Sequence, residues 1–468
     1  MLDSDVLMCL HLMEVIMVDV PDDGSRVLIE VESHNGSTKI EGFVIPAAAA
    51  GHITIKLVNG YNASYAIDSI TSLEIVENTI EKASTEQSPA TKFNESLPTV
   101  RILHTGGTIA SKVDYKTGAV VARFEPEELI SSIPELTDIA NVEAVKLGNM
   151  FSDDMRPQHW NKIIDASKQA FEDGVDGIVV THGTDTMHYT AAALSFSWAG
   201  SGGKSPRPIA IVGSQRSSDR GSSDAAENLI AAVHWAANAP SPIGGSGDSV
   251  VVVMHTSSND GECSVHPGIG VRKMHSTRRD AFRGINTQPL ATISANNGKP
   301  SIQLSETYSA ELELPITREV TTTPDKYETE IRIPQFIAGP WLVSEHIDAI
   351  MNIGCQAIVI HGTGLGHLPI DDPEGDAPEN TLVWRSLTRA INREVPVVIV
   401  NQCISGPIDM NVYSKGRKQM QMGILGHGII APPETVVAKL HWALSKGEEI
   451  SSIIAADLCG EGRATLME

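Results

Sequence analysis

Between residues 100 and 400 the chain repeats one pattern six times, and that pattern admits few folds. Short apolar runs precede glycine-rich turns and helical segments: Val100–Leu103, Gly177–Val180, Ile209–Val212, Val250–Met254, Ala357–Ile360 and Val397–Val400. Such runs, bounded by turns, read as buried strands. Strands that alternate with helices form parallel sheets with helices on both faces, so the expectation is an α/β body of two parallel-sheet domains. Two of the helices read as amphipathic: Trp160, Ile163, Ile164 and Phe171 share one face, and so do Val437, Leu440 and Leu444. The second opens with Pro432-Pro433-Glu434 and closes with Lys446-Gly447, good start and stop signals. A stretch rich in Thr, Pro and charge at 311–333 divides this body into a larger domain (98–310) and a smaller one (334–468). No internal repeat or low-complexity tract interrupts it.

The front of the chain has a different period. In 25–77, Ile53, Ile55 and Leu57 alternate with polar neighbours, as in a half-buried strand. Asn35-Gly36 and Asn59-Gly60 fall between strand-like runs, where both turn positions need positive φ. Four or five short strands with tight turns predict a small all-β barrel. Residues 78–97, rich in Ser, Thr, Glu and Lys, read as a solvated linker, and residues 1–24 as an N-terminal extension.

At 468 residues and 41% apolar content the chain can build two or three packed cores. No run reaches the roughly 20 apolar residues that span a bilayer. The apolar stretch Val6–Val18 is broken by His11 and Glu14, follows Asp3 and Asp5, and lacks the basic start of a signal peptide. A soluble, cytoplasmic protein without membrane contact is expected. Five scattered cysteines (Cys9, Cys263, Cys355, Cys403, Cys459), with no closely spaced pair, argue against a disulfide framework or a structural zinc site. The formal net charge of −23 opposes unaided binding of nucleic acid, which needs a basic surface.

In open parallel sheets, ligands bind beyond the carboxyl ends of the strands, where helix N-termini offer free N–H groups. Three segments attract attention there. Thr105-Gly106-Gly107-Thr108-Ile109-Ala110 follows the first strand of the body; a tight turn with Thr caps, a phosphate cradle and a hydroxyl-bearing ligand loop all fit it. Thr181-His182-Gly183-Thr184-Asp185-Thr186-Met187 leads into a helix, where Asp185 either caps the helix or meets a substrate ammonium group. His182 and His188 lack a third metal ligand at suitable spacing. Lys273, among Arg272, Arg278, Arg279 and Arg283, is either a solvated charge or a base made available by positive neighbours and partial burial.

Together with Phe151-Ser152-Asp153-Asp154-Met155, these segments resemble the L-asparaginase family over residues 100–455. The resemblance implies that Thr108 is the nucleophile attacking a side-chain amide, and that Thr184, Lys273 and Asp185 relay the proton. It implies that Ser152 and Asp185 hold the substrate's α-carboxylate and α-amino groups, with Asp153, Gly107 and Gly183 lining the site, and that no metal or organic cofactor takes part. A threonine hydroxyl is nearly inert at neutral pH, so both a base and oxyanion stabilisation are required. The chain departs from the family at its lid, where Tyr115 is the candidate. It departs again at Gly362-Thr363-Gly364-Leu365-Gly366-His367, where the family typically presents an Asn from a neighbouring subunit.

The β-domain in front is absent from simple asparaginases. The whole arrangement resembles the archaeal branch of the family that serves tRNA-dependent amidation. That resemblance implies a glutaminase component that works with a second, tRNA-binding amidotransferase component of a different kind. The partner binds the mischarged tRNA, activates its glutamyl group with ATP and Mg, and receives the ammonia. Glutamine would then be the small-molecule substrate, tRNA would be reached only through the partner, and the core would be a homodimer. The alternatives are a free-standing asparaginase or glutaminase with an accessory β-domain, and a non-catalytic scaffold. Thr108, Thr184, Asp185 and Lys273 are all present, which speaks against the scaffold.

Overall fold

The computed structural model describes residues 20–22, 24–33, 36–45, 51–57, 62–77, 93–113, 120–122, 133–217, 223–296, 299–315 and 318–462. The chain divides into two compact units, one built on residues 1–90 with 112–121 and 219–222, the other on the remainder.

In the first unit, β1 (Arg26–Ser33), β2 (Gly36–Ile45), β3 (His52–Leu57), β4 (Asn62–Ala66) and β5 (Ile70–Glu77) form an antiparallel sheet of order β4-β3-β2-β1-β5. The two-residue period turns Val27, Ile29 and Val31 to one buried side with Val44, Ile53, Ile55 and Ile70. Leu57 is half-buried at the end of its strand. Ser33 at the end of β1 pairs with Gly36 at the start of β2. Asn35 of the Asn35-Gly36 signal, and Asn59-Gly60, lie outside the described residues. β4 and β5 stand at the two edges, and among the described residues no pairing joins them.

The body follows. Its strands are β6 (Thr99–Gly106), β9 (Asn141–Met150), β10 (Gly177–Thr181), β11 (Ile209–Val212), β12 (Val250–His255), β13 (Glu262–Pro267), the hairpin β14 (Val271–Lys273) and β15 (Phe282–Gly284), β16 (Ala291–Asn296) and β17 (Lys299–Leu304); along the chain between β6 and β9 comes a short ribbon, β7 (Ser111–Val113) and β8 (Val120–Ala122), of which residues 112–121 belong to the first unit. Eight of them make one sheet of order β17-β16-β13-β12-β11-β10-β6-β9. The expectation of a wholly parallel sheet is corrected here. β9, β6, β10, β11 and β12 are parallel, but β13, β16 and β17 are antiparallel. Only six residues, 256–261, separate β12 from β13, and two, Asn297 and Gly298, separate β16 from β17. Parallel crossovers need a dozen or more residues, so chains this short can only return as hairpins.

Helices α1 (Pro157–Glu172), α2 (Met187–Ala199), α3 (Ala225–Asn238) and α4 (Glu306–Leu312) cover this sheet. Alternate strand residues show both covered faces. Ile178, Val180, Ile209, Ile211, Val250 and Val252 pack with Ile163 and Ile164 of α1 and with α2, whereas Val179, Ala210, Val212, Val251 and Val253 pack with Leu229, Val233 and Trp235 of α3. A smaller parallel sheet follows, β18 (Gln335–Ile337), β19 (Ile358–Gly362) and β20 (Val397–Asn401). With it come α5 (Ser344–Ile353), α6 (Pro378–Asn392), α7 (Ser414–Met422), α8 (Pro433–Lys446) and α9 (Ile450–Ile453). The apolar cluster on the α2 face continues into this sheet through Ile358, Val359, Val398 and Ile399.

Helix α8 corrects a second expectation. Its ends are where the proline and glycine signals place them, with Gly447 left-handed at φ 70°. It is not amphipathic, however. It is buried on nearly every side, with Leu440, Trp442 and Ala443 in the core and Val437 and Leu444 only half-buried. Lys439 is buried in the same helix, which is tolerable because Glu461 meets its ammonium at 2.7 Å. Among the described residues no helix is long and apolar enough to cross a membrane.

Candidate active site

Four neighbouring parallel strands, β9, β6, β10 and β11, end side by side, and the loops that leave them build the site. Their register is tight: Leu103 pairs with Val180, His104 with Thr181, and Ile211 with Val180. The first two loops pack backbone on backbone. A Cβ on Gly107 would lie 2.5 Å from the Gly183 nitrogen, and Gly107 also has φ 88°, so only glycine serves there. A Cβ on Gly183 would come within 2.8 Å of Ser152 Oγ, from the loop after β9. Thr105 Oγ1 donates to Thr181 O at 2.8 Å and ties the same two strand ends together.

Thr108 follows Gly107, opens the single 3₁₀ turn Thr108–Ala110, and is half-buried. Lys273 ends β14, held to β15 opposite Phe282, and is 10% exposed. Its Nζ donates to Thr184 Oγ1 at 2.8 Å and to Asp185 Oδ1 at 2.9 Å. Thr184 is buried and Asp185 is 68% exposed, so this trio runs from protein interior to solvent. Ser152 is buried, and its Oγ accepts from the backbone N–H groups of Asp185 (3.1 Å) and Thr186 (3.3 Å), where α2 begins. Both contacts use its lone pairs, which leaves its O–H to donate. Asp153, next on the 3₁₀ turn Ser152–Asp154, is exposed. The structure therefore gathers Thr184, Asp185, Lys273 and Ser152 into one bonded cluster, with Thr108, Gly107 and Gly183 on the loops packed beside it. Tyr115 lies outside the described residues.

Burial holds both histidines neutral, and His182 has structural work. His182 is fully buried, and burial lowers its pKa to about 4, so the ring is neutral. Its Nδ1–H donates to Gly183 O at 2.6 Å, and its Nε2 then accepts from Thr190 Oγ1 at 2.9 Å, which fixes the turn to α2. Burial, with help from Arg272 and Lys273, lowers His188 to about 3. The arginines near Lys273 are not the free positive field their sequence positions suggest. Arg278 and Arg283 both pair with Asp280, Arg279 with Asp260, and Arg272 with the buried Glu434 of α8 at 3.0 Å.

One loop escaped sequence reasoning. After β11, Ser214, Gln215 and Arg216 fold around the buried Asp224, whose Oδ1 accepts from Ser214 Oγ (2.9 Å) and from the Gln215 (3.1 Å) and Arg216 (3.0 Å) nitrogens. A Cβ on the preceding Gly213 would reach 2.9 Å from the Thr184 methyl and 2.7 Å from His182 O. The signal was present: Gly213-Ser214 follows an apolar run, as the other crevice loops do.

This arrangement has known counterparts. Residues 99–306 match the family model described as asparaginase, N-terminal, and residues 339–456 match the glutaminase/asparaginase C-terminal domain. The chain belongs to the asparaginase family. Among curated members, it is 38% identical to the D-type subunit of the glutamyl-tRNA(Gln) amidotransferase of Pyrococcus abyssi, over 94% of each chain. It is also 38% identical to that of Methanosarcina mazei, over 94% of this chain and 97% of the relative. Among solved structures it resembles the thermostable L-asparaginase of Thermococcus kodakarensis, with a TM-score of 0.61, 26% identity, and coverage of 78% of this chain and 98% of that one. A probable cytoplasmic L-asparaginase from Campylobacter jejuni shares the fold at 23% identity and a TM-score of 0.59, over 76% of this chain and 98% of that one. Both family models begin after the front sheet, whereas the amidotransferase relatives extend over nearly the whole chain.

Proposed function

We propose that this asparaginase-family chain is the glutaminase component of a tRNA-dependent amidotransferase, and that it releases ammonia from glutamine for a partner that converts Glu-tRNA(Gln) to Gln-tRNA(Gln). The observation that carries the chemistry is the Thr184–Lys273–Asp185 cluster beside the Thr108 loop. The assignment to an amidotransferase rests on full-length likeness to the D-type relatives. Thr108 Oγ attacks the side-chain amide carbon, and its proton passes through the Lys273 cluster to the leaving nitrogen. Ammonia departs, a glutamyl ester remains on Thr108, and water hydrolyses it to glutamate and free enzyme. The Ser152 hydroxyl and the outer oxygen of Asp185 hold the substrate's α-carboxylate and α-ammonium. Thr, Lys and Asp supply nucleophile and proton relay, so the hydrolysis needs no metal or organic cofactor from this chain.

In this reading ATP and Mg act at the partner, the E-type amidotransferase subunit, which also grips the tRNA that a −23 surface does not favour. The body works in the cytoplasm as a homodimer, with Tyr115 as its lid. The front sheet (25–77) closes into a small barrel, joined by the linker 78–97 to catalytic (98–310) and smaller (334–468) domains. A glutaminase that ran freely would waste glutamine, so partner and mischarged tRNA shift the site into its competent arrangement. The test measures ammonia release from glutamine by the chain alone, with the E-type partner, and with that partner plus Glu-tRNA(Gln). A low rate that climbs with both additions is expected. A high rate alone, changed by neither, would leave a free-standing amidohydrolase like the L-asparaginase whose fold it shares.

A further inference from the structure

Away from the active site, three side chains able to ligate a metal converge where β12 ends. His255 is the last residue of β12, Glu227 lies in the first turn of α3, and Asp260 sits in the loop between β12 and β13. One ligand atom from each lies within 4.8 Å of the others. Acidic groups close together mean little by themselves; the histidine makes this group different. His255 has no exposed surface, and its Nδ1 is 2.6 Å from Asn228 Oδ1. Asn228 Nδ2 donates to Gly213 O and to Asp224 Oδ2, both at 3.0 Å, so the amide orientation is settled and Oδ1 must accept. Nδ1 therefore carries the hydrogen, and in the neutral ring Nε2 carries the lone pair. Nε2 is buried without a hydrogen-bond partner, yet Glu227 Oε2 stands 3.0 Å from it. An imidazolium would direct an N–H at that oxygen, and no such bond forms. A lone pair beside a carboxylate oxygen at that distance suits two neighbouring ligands of one cation.

We propose that Glu227, His255 and Asp260 form a structural site for a divalent first-row metal ion of the zinc or manganese kind. One imidazole nitrogen with two carboxylate oxygens suits these ions better than calcium. Ligands each about 2.1 Å from such an ion stand about 3.4 Å apart in a tetrahedral shell and about 3.0 Å apart as neighbours in an octahedral one, and the His255–Glu227 separation matches the second. The Nδ1–H bond to Asn228 is the outer contact that orients a ligating histidine. The carboxylates are set in place as well. Glu227 Oε2 accepts from the Gly261 nitrogen at 3.1 Å, and Arg279 holds Asp260 while donating to Ser258 O. The ion joins α3, β12 and the β12–β13 loop. It stands apart from the proposed hydrolysis, whose residues it does not include.

The test uses the full chain, stripped with EDTA, dialysed, and titrated with ZnCl₂ or MnCl₂ by calorimetry, with Co²⁺ as an optical probe. One ion per chain, a rise in Tm on binding and a Co²⁺ spectrum with nitrogen ligation are expected. Glu227→Gln and Asp260→Asn should each weaken binding about tenfold or more, and the double variant should abolish it. Glu227 and Asp260 are partly exposed (39% and 70%), so these variants should fold, as their metal-free Tm will show. Absence of binding, or binding undiminished in the double variant, would overturn the site.

Discussion

In the proposed mechanism single residues carry the chemistry, and Thr184, Asp185 and Lys273 are placed for it by their mutual bonds. Thr108 has the only role in the proposed mechanism that needs a covalent bond. Thr108→Ala, Thr184→Ala and Lys273→Met should each reduce ammonia release by roughly 10⁴-fold or more, since members of one catalytic unit fail together. Thr108→Ser, which keeps a hydroxyl, should retain part of the activity. Far-ultraviolet circular dichroism should be unchanged in all four; hydrolysis by Thr108→Ala at the parent rate would remove Thr108 from its role. A second residue-scale prediction concerns pH. His266, buried on β13, has its pKa lowered to about 4, first by burial and then by Arg283. Above pH 6.5 neither the folded nor the unfolded chain protonates this ring. As the pH falls from 6.5 toward 4, the unfolded chain binds a proton that the native state refuses, and stability is lost. The share from His266 is on the order of 3 kcal/mol over that window. His266→Leu should therefore lose less stability than the parent between pH 7.5 and 4.5 in urea unfolding; equal losses would contradict the assignment.

At the scale of elements, the site depends on how closely loops can approach at the ends of β6, β10 and β11. Two glycines make a matched test. Gly107 and Gly174 have almost the same φ, 88° and 87°, but a Cβ on Gly107 would strike Gly183, whereas one on Gly174 would meet nothing within 4 Å. Left-handed strain alone costs about 1–2 kcal/mol, so Gly174→Ala should lower stability by about that and spare activity. Gly107→Ala carries a comparable strain and must also push the Thr108 and Thr184 loops apart. It should lower stability further and reduce ammonia release by about a hundredfold. Equal effects of the two substitutions on rate would show that the loop contact does not matter. The crevice loops were legible in the sequence, because a glycine after an apolar run is a local signal. The Ser214–Arg216 loop was equally visible but lacked a recognised motif, and the Asp224 side chain that organises it comes from the residue just before α3.

At the scale of the whole molecule, the described apolar residues fall into three clusters. The front sheet buries Val27, Ile29, Val31, Val44, Ile53, Ile55 and Ile70 in a cluster that shares no residue with those of the body. A chain beginning at Phe93 should thus fold and unfold cooperatively by itself. Heating followed by near-ultraviolet circular dichroism would check this; a broad transition without native tertiary signal would mean that the front sheet completes the body's core. Within the body the position is different. The cluster on the α2 face runs through α8 into the smaller sheet, so cutting the chain between the two sheets should prevent either part from folding cooperatively.

The sequence by itself determined the α/β body, the β-rich front, the ends of α8 and the loops that bear Thr108 and Thr184. These are written in short-range patterns: apolar period, capping residues, and glycines at turns. It also placed Lys273 in the site, but only by resemblance, since a lysine among arginines looks like any surface charge in a window of ten residues. The tertiary structure decided the rest. It turned the far side of the large sheet antiparallel, buried α8 nearly all round, and paired each neighbouring arginine with an acid. It brought Lys273 to Thr184 across 89 residues of chain. Which strand lies beside which, and which charge meets which, depends on packing between distant segments. That choice is made by the burial and pairing of surfaces that no local stretch of sequence contains.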